Sequence, residues 1–404
     1  LGVSPRFPSI PLFYVIGIIP VCPFLFYLVS GICFRPRLET RSMKTFIFLL
    51  TVILIWNHAK ALETDQYMVW GKDLKDSSEA LNAYYNQNFA RSIARINADP
   101  SLAAKSCEDA TIDVLQEYHA FWWGERIENW ILDNNDIQKI PEYNNMTRMH
   151  AIQQSIYRDV FKFKAKILGY NIRIGDVNLG IDKIGHFSSV GLSYYQRLLT
   201  AARARKIQVE TSNFLPYLNK LAEVSITFPA KDPRLAIVNE AITWGIKMEK
   251  WMWGYAVSDT FSYADMEANY QGLLFALNIC SGPQPFMKKE NGIFKVNKER
   301  PIDLRQFINP LFDESFNPSH YQTKIYTTIK PYLRQYCALR ESDEIKWLFA
   351  NYSKLMERFG HSYSEQYLNF LRTTKKSADS KRYFLHDPTR AKQTMNFVCS
   401  KPER

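Results

Sequence analysis

The chain has 404 residues, 46% of them apolar and 14% aromatic, with a net charge of +11. This is enough apolar material for one large domain or two to three smaller ones, and it excludes an intrinsically disordered chain. Close to half of the excess charge precedes residue 62, where Arg6, Arg35, Arg37, Arg41, Lys44 and Lys60 oppose Glu39; no RNA- or DNA-binding motif accompanies the rest, so no nucleic-acid partner is expected.

Residues 1–42 contain a run, Phe7 to Phe34, long enough to span a bilayer. It reads either as a membrane anchor or as sequence translated upstream of the true start, and the second is preferred because a complete export signal follows. Met43-Lys44 opens a basic start, Phe46 to Trp56 is a short apolar stretch, and Ala59-Lys60-Ala61 is a small-x-small cleavage site. The expectation is a signal peptide over 43–61, cleaved after Ala61, and a periplasmic or outer-envelope location. In that oxidising setting Cys107, Cys280, Cys337 and Cys399 allow up to two disulfides, with three pairings left open.

From residue 62 onward the periodicity predicts helices almost throughout: an all-α, multi-helix bundle with little or no β. Asp76-Ser77-Ser78 precedes Leu81, Tyr84, Tyr85, Phe89, Ile93 and Ile96 at helical spacing, and Pro100 ends that run. Ile112, Leu115, Tyr118 and Trp122 mark a second helix; Ile156, Val160, Phe163 and Ile167 mark a third, ending near Gly169. Further helices are expected from Asp182 to Arg197, Pro233 to Tyr255 and Tyr263 to Asn278. Residues 62–300 form the expected core domain. Residues 301–372 form a C-terminal helical region, loop-rich from Asp303 to Tyr321 and then carrying two helices. A polar basic tail occupies 373–404.

The stretch Asp182-Lys183-Ile184-Gly185-His186-Phe187 puts an acid, a base and an imidazole at the mouth of an apolar helix, with Asp182 and His186 on one face. Glu249 lies among aromatics, with Trp253 one turn on. In Phe261-Ser262-Tyr263-Ala264-Asp265, Ser262 suits an N-cap and Asp265 the third helical position, and Asp265, Asn269 and Gly272 share a face. Gly272 allows close helix approach. Three helices thus aim polar stripes at one place, which makes either a mutual network or a working site.

The order D-K-x-x-H, then E, then F-S-x-x-D-x-x-x-N-x-x-G resembles the VanZ-like proteins and the related YfiM-type periplasmic proteins, over about residues 182–278. The resemblance implies a small helical bundle acting at the envelope on a lipid or lipid-linked precursor. This chain departs from a simple membrane span: Gln196, Arg197, Lys247 and Lys250 interrupt the matching helices.

Three functions compete. In the first, an enzyme acts on an anionic lipid or envelope glycan precursor: His186 is base or nucleophile, oriented by Asp182 or Asp265, Glu249 is a second acid/base, and Lys183 holds a phosphate. Ser262, Asn269, Tyr194 and Trp253 are the remaining candidate substrate contacts, and a membrane surface is an allowed setting. The second is a non-catalytic envelope scaffold with a buried polar network. The third is a metal-dependent hydrolase using His186, Glu249 and Asp265, a mixed N/O set that suits zinc, manganese or iron but lacks H-E-x-x-H spacing. No cofactor is expected, and nothing sets the oligomeric state. His320 and the pair Trp122-Trp123 are weaker candidates.

Overall fold

The computed structural model describes residues 63–119, 126–160, 168–207, 209, 233–250, 254, 259–282, 284–359 and 392–400. The expected signal peptide and the segment before it lie outside these residues, as do Trp122, Trp123 and Trp253. Among the described residues no helix is long and apolar enough to cross a membrane.

Helix α1, Ser78–Ala98, forms where the spacing places it, burying Leu81, Tyr85, Phe89, Ile93 and Ile96 along one stripe. Its N-terminus is held by Asp76, whose Oδ1 accepts from the Ser78 N–H and hydroxyl at 2.9 and 2.5 Å. Helices α2 (Cys107–Leu115), α3 (Arg126–Asp133) and α4 (Arg148–Gln154) follow. The helix expected through Ile156 and Val160 is absent up to Val160: α4 stops at Gln154, and Ser155 leads into turns in which both apolar residues are nevertheless buried.

The all-α expectation is corrected here. The chain is mostly helical, but among the described residues it carries three two-stranded antiparallel pairs. Strands β1 (Asn171–Ile174) and β2 (Val177–Gly180) form a hairpin around Gly175-Asp176, with Gly175 at a φ of 57° that favours glycine. Strands β4 (Met287–Glu290) and β5 (Ile293–Val296) pair across Asn291-Gly292, both with positive φ. Between them in sequence lies β3 (Thr260–Phe261), which pairs with the distant β6 (His320–Tyr321).

Hairpin β1–β2 feeds directly into helix α5, Ile181–Gly185. A wide π turn over His186–Val190 continues it into α6, Gly191–Ala204. Helix α7 is Pro233–Met248, and α8, Tyr263–Cys280, is buried almost end to end. Helices α9 (Thr323–Arg334), α10 (Asp343–Arg358) and the short α11 (Met395–Ser400) complete the fold.

Helices α6 and α8 cross at two glycines. A Cβ on Gly191 would lie 2.6 Å from the Gly272 Cα, and one on Gly272 only 2.0 Å from the Phe187 carbonyl oxygen. This backbone-to-backbone contact sets the register of α8, which carries Asp265 and Asn269, against the run from α5 through the π turn into α6, which carries Asp182, Lys183 and His186.

Two apolar clusters result. The larger joins α1, α5, α6, α7 and α8, with the Phe187 and Phe275 rings 5.3 Å apart. The smaller gathers Tyr67, Trp70, Ile152, Tyr157, Ile329, Ile345 and Val398. Disulfide Cys107–Cys280 ties the first and Cys337–Cys399 reaches the second. Within the polar basic tail, Met395 and Val398 are buried and Cys399 is bonded.

Candidate functional site

Hairpin β1–β2 delivers Asp182 and Lys183 to the base of α5. The turn at Gly180 is crowded: a Cβ there would meet Asp182 Oδ1 at 2.2 Å and Thr64 Oγ1 at 2.3 Å. The Thr64 hydroxyl donates to Asp182 Oδ1 at 2.9 Å. Lys183 is fully buried, and its Nζ lies 2.7 Å from Asp182 Oδ2, 2.6 Å from Asp265 Oδ1 and 2.9 Å from Glu314 Oε1. Burial by itself would lower the ammonium, but Asp182, Asp265 and Glu314 outweigh it and hold Lys183 well above the ordinary lysine value. Lys183 was expected to hold a substrate phosphate; its setting is that of an internal counter-ion.

His186 begins the π turn. The Gly191 N–H donates to its carbonyl five residues back, a widened turn of the kind found often at functional sites. Its ring is partly exposed, at 18%. Nδ1 lies 3.0 Å from Asn269 Oδ1 on α8, and Nε2 lies 3.3 Å from Asp265 Oδ2 one turn earlier on that helix. With Nδ1–H donating to the amide oxygen, Nε2 is the nitrogen that faces Asp265.

The capping expectation at Ser262 holds in geometry but not in partner. Ser262 Oγ accepts from the Asp265 N–H at 3.1 Å. A capping-box acid reaches back to the cap N–H, but Asp265 is committed to Lys183 and His186. The Ser262 N–H donates instead to Glu249 Oε1 at 3.3 Å, and its hydroxyl donates to Glu314 Oε1 at 2.6 Å.

Glu249 follows α7 and is fully buried. The Gly254 N–H donates to its carbonyl at 3.0 Å. A Cβ on Gly254 would sit 2.0 Å from Glu249 Oε1, so only glycine leaves room for the carboxylate. Glu249 Oε2 is buried and has no hydrogen-bond partner among the described residues. One ligand-type atom from each of His186, Glu249 and Asp265 lies within 4.8 Å of the other two.

The two neighbouring acids are driven apart. Burial pushes Glu249 well above the usual carboxylate range, and the charges of Asp265 and Glu63 push it further. Burial also raises Asp265, but His186 and Lys183 overcome that and hold it below the usual range. Glu314 is raised by burial against the pull of Lys183. A neutral acid beside an ionised one is the arrangement from which acid and base roles are built.

Asp182, Lys183, His186, Glu249, Ser262, Asp265 and Asn269 are thus brought together. Tyr194 is not on this face: it is fully buried between α6 and α7, where a Cβ on Gly245 would overlap its hydroxyl. Trp253 lies outside the described residues. His320 is buried in β6, opposite Phe261.

Sequence reasoning missed Glu314 and Thr64. Glu314 sits in Phe312-Asp313-Glu314-Ser315-Phe316, within a stretch read only as loop. Two adjacent acids between phenylalanines were its one signal. Asp313 is buried beside it, accepting from the Ser315 hydroxyl at 2.6 Å and the Tyr352 hydroxyl at 3.0 Å; burial pushes it up to about 7.

No family model matches the chain, and no curated protein or solved structure is similar enough to be matched to it.

Proposed function

We propose that this chain is an exported, envelope-associated hydrolase acting on a phosphorylated lipid or lipid-linked envelope precursor. The observation that carries the reading is the convergence of His186, Asp265 and Glu249, with the His186 ring partly exposed and both carboxyl groups buried. Ionisable groups kept inside a protein at this density are either fully paired or working. The Lys183 end is paired. The Glu249 end is not, since one of its carboxylate oxygens has no partner among the described residues.

The roles follow from position. Asn269 and Asp265 fix the His186 ring. The three side chains face one point, where a water is held and activated. Its oxygen attacks phosphorus as His186 takes its proton, the ester P–O bond breaks, and the departing oxygen takes up the proton held by Glu249. Lys183 stabilises ionised Asp265 from behind.

The export pattern at Met43–Ala61 and the two disulfides support the location. The VanZ-like order of residues supports the substrate class.

The scaffold reading has its own observation: Lys183 joins α5, α8 and the Glu314 turn in one fully buried contact. Phosphate release from a lipid phosphate in mixed micelles separates the two. The hydrolase reading expects wild type to release phosphate and His186→Ala to lose at least about 100-fold of that rate, in line with loss of general acid–base catalysis, while melting stays near wild type. No release by wild type, with His186→Ala and Asp265→Asn both melting several degrees lower, would leave only the scaffold.

A further inference from the structure

Among the described residues the carboxyl groups of Asp182, Glu249, Asp265 and Glu314 stand around one ammonium, Lys183, and one imidazole, His186, and Glu63 is close enough to act on Glu249 and Lys183. Oxygen donors with one ring nitrogen are a set that a divalent first-row cation takes.

We infer that His186 Nε2, Asp265 Oδ2 and a Glu249 carboxylate oxygen form a binding site for a divalent first-row cation, zinc or manganese in type, which holds the water and receives the substrate's phosphate oxygen. The inference rests on the hydrolase reading for its use, but not for its geometry.

Four observations support it. The His186 Nε2 to Asp265 Oδ2 separation, 3.3 Å, matches the edge of about 3.4 Å between two ligands bound to one ion at roughly 2.1 Å in a tetrahedron. The third ligand atom is within 4.8 Å, so a modest swing of the Glu249 side chain closes the set. Glu249 Oε2, fully buried and without a partner among the described residues, supplies a lone pair that nothing else there uses. Finally, the surrounding partners are those that metal ligands keep: Asn269 Oδ1 takes the far ring N–H of His186 at 3.0 Å, Lys183 takes the far oxygen of Asp265 at 2.6 Å, and the Ser262 N–H holds Glu249 Oε1 at 3.3 Å. Each candidate ligand thus has one atom fixed from outside and another facing the common point. Three protein ligands leave a position for water, as in hydrolytic sites.

The test needs no substrate. The purified full chain is stripped with chelator and dialysed against zinc or manganese; bound metal is counted by mass spectrometry and affinity is measured by calorimetry. The expected result is one zinc per chain, a d–d absorption on cobalt substitution without thiolate charge transfer, and a rise in Tm on metal addition. Glu249→Gln should weaken zinc by more than the ~10–100-fold typical of losing an outer partner, and Asn269→Ala by about that range. His186→Asn, a change at a partly exposed position, stands in should Glu249→Gln fail to fold. His150→Gln, on the exposed face of α4, should leave the count at one. No stoichiometric uptake of either metal, or uptake unchanged in both Glu249→Gln and His186→Asn, would overturn the inference. Phosphate release that persists in metal-free protein would overturn it and leave the hydrolase reading standing. Stoichiometric, Glu249-dependent zinc with no phosphate release would uphold the site and remove the hydrolase.

Discussion

Replacing Lys183 with Met keeps the length of the side chain and removes its charge. Three carboxylates, Asp182, Asp265 and Glu314, then lose an ammonium at 2.6–2.9 Å inside the protein. Breaking a buried ion pair from one side costs about 3–5 kcal/mol, because the partner left behind is an uncompensated charge. With three partners orphaned, the upper part of that range is expected. At the usual per-residue unfolding entropy, a chain of 404 residues loses roughly 4–6 °C of Tm for such a change. The control is Glu314→Gln. It preserves an acceptor for the Ser262 hydroxyl and removes one of the crowded negative charges, so its cost should stay within about 1 kcal/mol. Thermal and urea unfolding of both variants at pH 7, in low and high salt, tests this. The buried position predicts little salt dependence in the difference. A Lys183→Met protein melting within 1 °C of wild type, a threshold set well below the ~4 °C expected, would refute the argument. So would a Glu314→Gln protein as damaged as Lys183→Met.

Two further outcomes follow from packing and titration. Gly272→Ala places a methyl 2.0 Å from a backbone carbonyl that cannot rotate away; calorimetry should show a loss at or above the top of the ~1–3 kcal/mol usual for overpacking. Asp313, raised to about 7 from the ordinary 3.8, holds its proton more tightly folded than unfolded. Its contribution to stability is complete below about pH 4 and is lost as pH rises through 7, at up to ~1.4 kcal/mol per pH unit. Asp313→Asn should therefore flatten the decline between pH 4 and 7 in a urea-unfolding series, and an unchanged slope would contradict the assignment.

Much of the site was legible in the sequence because local rules governed it. Ser262 caps α8 as its position before Asp265 suggested, and Gly272 marks the helix crossing. The four-residue spacing of Asp182 and His186 placed both residues on one short helical stretch. It did not reveal that the carboxylate against the His186 ring is Asp265. Glu314 was out of reach because nothing local binds it there: its partners come from Ser262, Lys183 and Gln66, all distant in sequence. The hairpins are a different matter. Asn291-Gly292 between two short strands is a strong local turn signal, and Ile172, Ile174, Val177 and Leu179 alternate around Gly175. Both were hidden by weighting helical periodicity over short alternation. The pairing of β3 with β6 had no local signal at all, since each strand is two residues long. Ile156 and Val160 carry helical spacing yet lie in turns, because apolar burial there is met by the smaller cluster without a helix.

The cluster also dictates an order of assembly. Thr64 meets Asp182 across 118 residues, His186 meets Asn269 across 83, Ser262 meets Glu314 across 52, and Gln66 meets Glu314 across 248. Contacts of such sequence separation form late, after loop closure has been compensated by packing elsewhere. A chain still being synthesised, and not yet past residue 314, has Lys183 without one of its three anions. The buried ion cluster is therefore completed only when residue 314 joins it, and a molecule cut short before that residue leaves Lys183 with two of its three anions.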